Sequence, residues 1–142
     1  MDKTQIISKF NEHFLEFVED IEQVFPNDTE ITSAKKAINR GLILMPKMMI
    51  KAYKDYFVDD YGEEIDKGDL DFFINNDYKA KNNLFQKDSV KIIFDKIDAF
   101  RGPISKMSPS EKEKIIKYLQ NLKMICVVYE NLKNSKNEYA KN

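Results

Sequence analysis

Apolar side chains recur every third or fourth residue along most of the chain, which is the spacing of amphipathic α-helices. A long segment of this kind runs from residue 4 to residue 25. Its apolar positions are Ile6, Ile7, Phe10, Phe14, Phe17, Val18, Ile21, Val24 and Phe25. Pro26 disfavours helical geometry at Phe25, so the helix is expected to end there. No segment shows the alternation that is typical of a half-buried strand.

Start signals predict two further helices. Asp28 or Thr29 can cap a helix over "EITSAKKAINRGLILM", because a side-chain oxygen at that place accepts free backbone N–H groups. Pro46 breaks or kinks the chain after this segment. It is also acceptable as the first residue of a third helix, "PKMMIKAYKDYFVDDY".

Residues 60–78, "DYGEEIDKGDLDFFINNDY", carry seven carboxylates and one lysine, which raises the question of a metal site. An EF-hand loop needs oxygen ligands at positions 1, 3 and 5, glycine at 6 and glutamate at 12, and every register fails. A looser calcium site, or a metal-dependent hydrolase built on these carboxylates, is the alternative interpretation. The preferred interpretation is a solvated turn, in which Gly62 ends the third helix and Asp69 caps a short fourth.

The last third of the chain predicts two more helices. The segment "VKIIFDKIDAF" is expected to form a helix that begins at Asp88 or Ser89 and ends at Gly102-Pro103. The sequence Ser108-Pro109-Ser110-Glu111 has the form of a capping box and predicts a long final helix. The predicted fold is all-α: one compact, irregular bundle of five to six helices over residues 1–134, with long N- and C-terminal helices and a frayed tail at 135–142.

Composition narrows the class of protein. The chain is 42% hydrophobic and 33% charged, which is typical of a globular domain, and its net charge of −1 argues against a coat for nucleic acid. Its single cysteine, Cys126, excludes an internal disulfide and a cysteine-based zinc cluster. No segment approaches the roughly 20 apolar residues of a membrane helix, so no membrane insertion is expected. The excess of Lys, Asn and Ile indicates an AT-rich genome.

The sequence offers no constellation for catalysis. His13 is the only histidine, whereas a helical zinc site needs two. Cys126 lies on the apolar face of the last helix, where a free cysteine acts as a small hydrophobic residue. No nucleophile elbow, phosphate loop or dinucleotide fingerprint is present. The sequence therefore predicts no catalytic, cofactor-binding or metal-binding residue.

Two sets of residues are candidates for contact with a partner. The first is rich in methionine and aromatic residues, which suit either an adaptable interface or an irregular core. Its members are Met45, Met48, Met49, Tyr53, Tyr56 and Phe57. The second set, Lys112, Lys117 and Lys123 on the last helix, would meet phosphates or an acidic partner, or else form a solvated helix face.

Several segments together resemble a family. They are "FNEHFLEFVEDIEQVFPND", "AKKAI", "PKMMIKAY", "EEIDKGDLDFFINNDY" and "MSPSEKEKIIKYLQNL". In this order they are similar to short uncharacterised proteins of large cytoplasmic DNA viruses of the mimivirus and phycodnavirus kind. The resemblance implies an AT-rich viral source and no established activity. Where the family has Asn before the central proline, this chain has Met45, which favours a kinked or apolar-buried junction at Pro46.

The residues and the resemblance lead to one main functional expectation. The chain is expected to be a non-enzymatic helical protein–protein interaction module, as a small viral accessory protein or a minor virion or capsid-associated protein. Its partners would be viral structural proteins or a second copy of itself, in the virion or in the infected-cell cytoplasm. The alternative is a protein that contacts nucleic acid through its basic C-terminal helix and the Asn- and Lys-rich residues 79–91.

Overall fold

The computed structural model describes residues 2–75 and 95–141, with only the backbone described for 135–141. Every element within these ranges is helical, as the all-α prediction requires. In chain order they are α1 (Lys3–Val24), α2 (Thr29–Leu44), α3 (Met48–Tyr53), a π-helical turn (Lys54–Val58), α4 (Asp59–Lys67), α5 (Asp71–Asn75), a 3-10 turn (Asp98–Phe100), α6 (Arg101–Ser105) and α7 (Pro109–Lys141). The long N- and C-terminal helices, α1 and α7, confirm the predicted outline of the bundle.

Side-chain caps fix the starts of the first two helices. Asp28 accepts hydrogen bonds from the backbone N–H groups of Glu30 and Ile31, at 3.0 and 3.2 Å, so Asp28 rather than Thr29 caps α2. α1 begins with a capping box that the apolar pattern does not reveal. Asp2 accepts from the backbone of Gln5 at 2.8 Å, and the Gln5 side chain accepts from the backbone of Asp2 at 2.9 Å.

The junction at Pro46 is a clean break, and the expectation of a kinked or apolar-buried junction is wrong. α2 ends at Leu44, and α3 begins at Met48 rather than at Pro46. Met45 closes α2, because its backbone N–H donates to the carbonyl of Gly41 at 2.8 Å. The following proline holds Met45 away from helical geometry, and its side chain is left 43% exposed.

The third predicted helix continues past Gly62, so the predicted stop at that residue is also wrong. Gly62 lies inside α4, although the backbone departs from helical geometry at Tyr61. The left-handed residue is Gly68, with φ of +74°, and it ends α4. Asp69 follows it and accepts a hydrogen bond from the backbone of Asp71 at 2.8 Å, which confirms the predicted cap of the short helix α5.

The glycine–proline pair before the last helix does not end a helix as predicted. Gly102 and Pro103 lie inside α6, directly after its first residue, Arg101. Proline is tolerated there because the first turn of a helix has no partner for its N–H groups. The predicted starts of the preceding helix, Asp88 and Ser89, lie outside the described residues.

α7 begins with the capping box that its sequence predicts. The backbone N–H of Glu111 donates to the Ser108 hydroxyl at 3.2 Å, and the Glu111 carboxylate accepts from the Ser108 backbone at 2.9 Å. Hydrogen bonds to the Glu111 carboxylate, first from the backbone and then from the side chain of Ser108, lower the pKa of Glu111 below its usual value. The box satisfies two N–H groups that the first turn of a helix would otherwise leave without a partner.

Ser108→Ala is expected to lower the free energy of unfolding by about 1 kcal/mol, because it removes the N-cap acceptor. Glu111→Gln is expected to destabilise the fold at neutral pH as well. The pKa of Glu111 is lower in the folded protein, so its ionised carboxylate stabilises the fold. This stabilisation is fully present above the ordinary pKa of 4.5 and is lost as the pH falls through the pKa of the folded protein. Urea denaturation at pH 7 and pH 3 measures the free energy of unfolding of both variants. A difference in this free energy between Glu111→Gln and wild type that is as large at pH 3 as at pH 7 would contradict this role of the carboxylate.

The core is built around α1 and α7, the most extensive helix pair among the described elements. Three phenylalanines of α1, at positions 10, 14 and 17, are buried in this core. The ring of Phe10 lies edge-on to Tyr53 at a centroid distance of 5.6 Å, and the Tyr53 hydroxyl donates to the carbonyl of Leu119 at 2.6 Å. Across the described ranges, no helix combines the length and apolar character needed to cross a membrane.

Candidate functional site

An open groove of about 1070 Å³ lies between α1, the end of α2 and α3. Its walls carry apolar side chains from all three helices: Ile7 and Leu15 from α1, Leu42 and Ile43 from α2, and Met48 from α3. A volume of this size exceeds what a small cavity in a packed core would leave. The groove is therefore a surface feature that a second molecule can enter.

One side-chain hydrogen bond ties the floor of the groove together. The Asn11 amide donates to the carbonyl of Pro46 at 3.0 Å and so holds the break between α2 and α3 against α1. The other amide atom of Asn11, its Oδ1, is buried and has no hydrogen-bond partner within the described residues. The sequence pattern does not predict this contact, because 35 residues separate its two partners.

The end of α2 places large apolar side chains at the mouth of the groove. Ile43 and Met45 both line the groove and are 70% and 43% exposed, while Leu44 between them is 71% exposed but does not line the groove. Three consecutive apolar residues left open to water form a patch of the kind that marks interaction sites on soluble proteins. These residues lie where α2 ends, since Leu44 is its last residue and Met45 is its C-cap.

The two long walls of the groove carry charged side chains of opposite sign. Glu12 lines the groove from α1, while Lys47 and Lys51 line it from the start of α3, one helical turn apart. None of these three side chains makes an ion pair with another residue in ranges 2–75 and 95–134. The α1 wall thus carries one unpaired carboxylate and the α3 wall two unpaired lysines within this part of the fold, while Asp55, which also lines the groove, lies 3.8 Å from the Lys54 ammonium.

The structure divides the predicted Met- and Tyr-rich interface into two groups. Met49, Tyr53 and Phe57 are buried in the core and present no surface to a partner in this conformation. Met45, Met48 and Tyr56 line the groove. Burial, followed by the charge of Asp55, raises the pKa of Tyr56, so its hydroxyl stays protonated at neutral pH. Helical spacing alone did not separate the two groups, because Tyr53 and Tyr56 lie on neighbouring positions of one face.

A π-helical turn follows α3 and shifts the face that each side chain presents. Its backbone bond runs from the N–H of Asp59 to the carbonyl of Lys54, five residues earlier. The turn leaves Phe57 stacked on Tyr53 at 5.3 Å, inside the core. The Lys54 ammonium lies 3.1 Å from Asp59, and this hydrogen bond raises the pKa of the lysine.

The three candidate lysines of α7 do not form one surface. Lys123 donates to the Asp66 carboxylate at 2.6 Å and lies 3.4 Å from the carbonyl of Gly62, so it joins α7 to α4. Lys117 is exposed and lies five residues from Lys112 and six from Lys123, which turns it roughly 120–140° away from both around the helix. Contact with phosphates stays a prediction, and residues 79–91 lie outside the described ranges.

The acidic stretch has structural partners over residues 60–75. Asp66 binds Lys123, and Asp69 caps α5. Within the described residues, no group of three or more His, Cys, Asp or Glu side chains is placed to hold a metal ion. Residues 76–78, the end of this stretch, lie outside that part of the chain.

The titratable residues of the core contact apolar and aromatic neighbours. Burial raises the pKa of the Cys126 thiol to about 12, and its sulfur lies 3.8 Å from the carbonyl of Ile50. The His13 ring packs on Tyr118 at 4.8 Å, and its Nδ1 lies 3.5 Å from the Glu16 carboxylate. Burial and a hydrogen bond to Asp20 raise the pKa of Tyr118. A protonated thiol is a poor nucleophile, so this arrangement does not activate Cys126.

Comparison of the chain with protein-family models, with curated proteins and with solved structures found no match. A function for this chain therefore has to be inferred from its own residues. The groove between α1, α2 and α3 is the feature that combines an open volume, exposed apolar side chains and unused charges.

Proposed function

We propose that this protein is a non-enzymatic helical interaction module that holds an amphipathic helix of another protein in the groove between α1, α2 and α3. The observation that carries the proposal is the open groove of about 1070 Å³, whose lining includes the exposed side chains of Ile43 and Met45. Burial of apolar area at such a site is the main driving force for association.

The shape of the groove favours a helix as its occupant. The walls are the sides of helices, and the apolar residues of α1 that face the groove, Ile7 and Leu15, are about two turns apart. A bound helix that repeats apolar residues at every third or fourth position can meet such a row along its length. Met48 and Met45 are adaptable in shape and can pack against side chains of different size.

The charges of the walls define the chemistry of that helix. Glu12 on one wall attracts a basic edge, and Lys47 and Lys51 on the other wall attract an acidic edge. The partner helix is therefore expected to carry an apolar stripe with Lys or Arg along one edge and Asp or Glu along the other. A helix with two acidic edges would be repelled by Glu12. A helix with two basic edges would be repelled by both lysines.

A charge reversal in one wall should change which helix binds. Three synthetic helices would share one apolar stripe and differ only in their edges: mixed, both acidic, or both basic. The wild-type protein is expected to bind the mixed helix most tightly. Glu12→Lys places a lysine on each long wall, so the preference is expected to move to the doubly acidic helix by up to about fivefold at low salt, as single rim charges are worth up to about 1 kcal/mol. Fluorescence anisotropy measures each affinity.

Glu113→Lys is the matched control for this charge reversal. Glu113 is exposed on α7 and does not line the groove, so the same change of charge there should leave the order of the three helices unchanged. An unchanged order in Glu12→Lys, or the same altered order in both variants, would contradict binding in the groove.

The resemblance to viral proteins adds a proposal about the setting. It supports a partner that belongs to the same virus particle or to the infected cell. Copurification of the protein with particles at a fixed copy number tests this setting separately from the groove, and its absence from purified particles would restrict the proposal to the infected cell.

A further inference from the structure

The outer face of α2 combines cationic and apolar side chains. Successive residues of a helix are about 100° apart, so Lys36, Arg40, Ile43 and Leu44 lie within one arc of about 100°. All four side chains are exposed. The four buried side chains of α2 lie on the opposite side of the helix, so this outer face points away from the core.

The chain around the outer face of α2 holds cations and no carboxylate. Residues 31–54 contain five lysines and one arginine, but no Asp or Glu. The whole chain has a net charge of −1, and because this segment carries +6, the remaining residues carry −7. Such a separation of charge turns the basic side of a molecule towards an anionic surface.

The cations of the outer face are not neutralised by the part of the fold that the structure describes. Lys36, Arg40 and Lys47, which follows the end of α2, make no ion pair with another residue in ranges 2–75 and 95–134. In contrast, Lys35 on the flank of α2 lies 3.1 Å from the Glu22 carboxylate. The positive charge is therefore available where the side chains point outwards.

Acidic side chains lie away from the apolar end of this face. Glu30 is the one carboxylate in the sequence of α2, and it is in the first turn, about 21 Å along the helix from Leu44. Two further carboxylates, Glu12 and Asp55, line the groove on the Ile43 side. The end of α2 thus presents Leu44 and Arg40 together, without a carboxylate in the same turns of the helix.

The two chemistries side by side select the kind of partner. Cations alone would suit nucleic acid, whose backbone is contacted by charged and polar side chains. A phosphate backbone offers no apolar contact to Ile43 and Leu44, however, and these are the most exposed large apolar side chains of the described residues. A membrane with anionic lipids offers both contacts, because its charged headgroups lie directly above its acyl chains.

We propose that the outer face of α2 docks the protein on the surface of a membrane that contains anionic lipids. Ile43 and Leu44 enter the boundary between headgroups and acyl chains, while Lys36 and Arg40 contact the headgroups, with Lys47 beside them. The face is convex, so a flat and deformable layer can meet all of it. This docking goes beyond the binding of a helix in the groove.

Vesicle cosedimentation of the full chain tests this surface. The wild-type protein is expected to bind vesicles of phosphatidylcholine with about one third phosphatidylserine at least tenfold more tightly than vesicles of phosphatidylcholine alone. Salt at about 0.5 M is expected to weaken this binding through screening. Lys36→Gln is expected to weaken it about fivefold, because one headgroup contact is lost. Leu44→Gln is expected to weaken it about tenfold, because less apolar area is buried.

Lys117→Gln and Val128→Gln are the matched controls, since both side chains are exposed on α7, and neither change should alter vesicle binding. Circular dichroism checks that all four variants are folded, as expected for exposed positions. Lys36 and Leu44 do not line the groove, so their variants should bind the mixed-edge helix as wild type does. Failure of membrane docking and failure of helix binding are therefore distinguishable.

Three results would overturn the proposal. The first is absence of binding to the anionic vesicles, or equal binding to both kinds of vesicle. The second is a loss in the α7 variants as large as in the α2 variants. The third is binding to duplex DNA, but not to vesicles, that Lys36→Gln weakens and Leu44→Gln does not, which would assign the face to nucleic acid.

Discussion

Phe10→Ala is expected to lower the free energy of unfolding by about 4 kcal/mol, which is near the upper end of single-residue effects. Phe10 is fully buried where α1 packs into the bundle, and its ring contacts Phe14 and Tyr53 at centroid distances of 6.3 and 5.6 Å. Removal of the ring takes away its transfer free energy and leaves a cavity that the surrounding helices cannot close. Because the ring contact to Tyr53 joins α1 to α3, the loss should be felt across the bundle.

Urea denaturation followed by circular dichroism measures this change. Leu15→Ala is the control on the same helix, because Leu15 is only partly buried and lines the groove. Its expected cost is about 1 kcal/mol, the ordinary effect of a substitution outside the core. Equal costs for the two variants would contradict the packing of α1 described here.

The second large effect concerns Cys126. Alkylation of its thiol in the folded protein at pH 7 is expected to be at least about 10³-fold slower than that of an ordinary cysteine. Burial raises the pKa of the thiol from 9.0 to about 12, and only the thiolate attacks the reagent. The side chain is 1% exposed, so restricted access adds to this protection. The rate should return to the ordinary value in urea.

A matched variant separates burial from the intrinsic reactivity of a thiol. Lys117→Cys in a Cys126→Ser background places the single thiol on the exposed part of the same helix. This thiol is expected to react at the ordinary rate without denaturant. Fast, complete alkylation of Cys126 in the folded wild-type protein would show that α7 does not pack against α3 as described.

The starts of several helices could be predicted from the sequence because they depend on neighbouring residues. Asp28, Asp69 and the Ser108–Glu111 box act through hydrogen bonds that span two or three positions, and each was predicted. The ends of helices were predicted less well. Gly62 has the right chemistry to end a helix, yet the left-handed conformation falls on Gly68. Local sequence does not decide between two such glycines, and the stretch of α4 between them contacts α7, where the Gln120 amide donates to the carbonyl of Ile65 at 3.1 Å.

The arrangement of the candidate site depends even more on contacts between residues that are far apart in the sequence. Spacing identified a Met- and Tyr-rich segment but not which of its members face the core, because the π-helical turn changes the rotation of the chain after Tyr53. The charge pattern made Lys123 resemble a free surface lysine, although Asp66, 57 residues earlier, binds it. The groove itself was not predicted, since it arises only when α1 lies beside the break at Pro46.

Chemical-shift mapping of the isotope-labelled protein with the mixed-edge helix tests the binding role of the groove most directly. Saturable shifts are expected to concentrate on the groove, including Ile7, Leu42, Ile43 and Met48, and Ile43→Lys is expected to weaken binding while Val128→Lys is not. Shifts concentrated on α7, or no saturable shift with any of the three helices, would contradict binding in the groove.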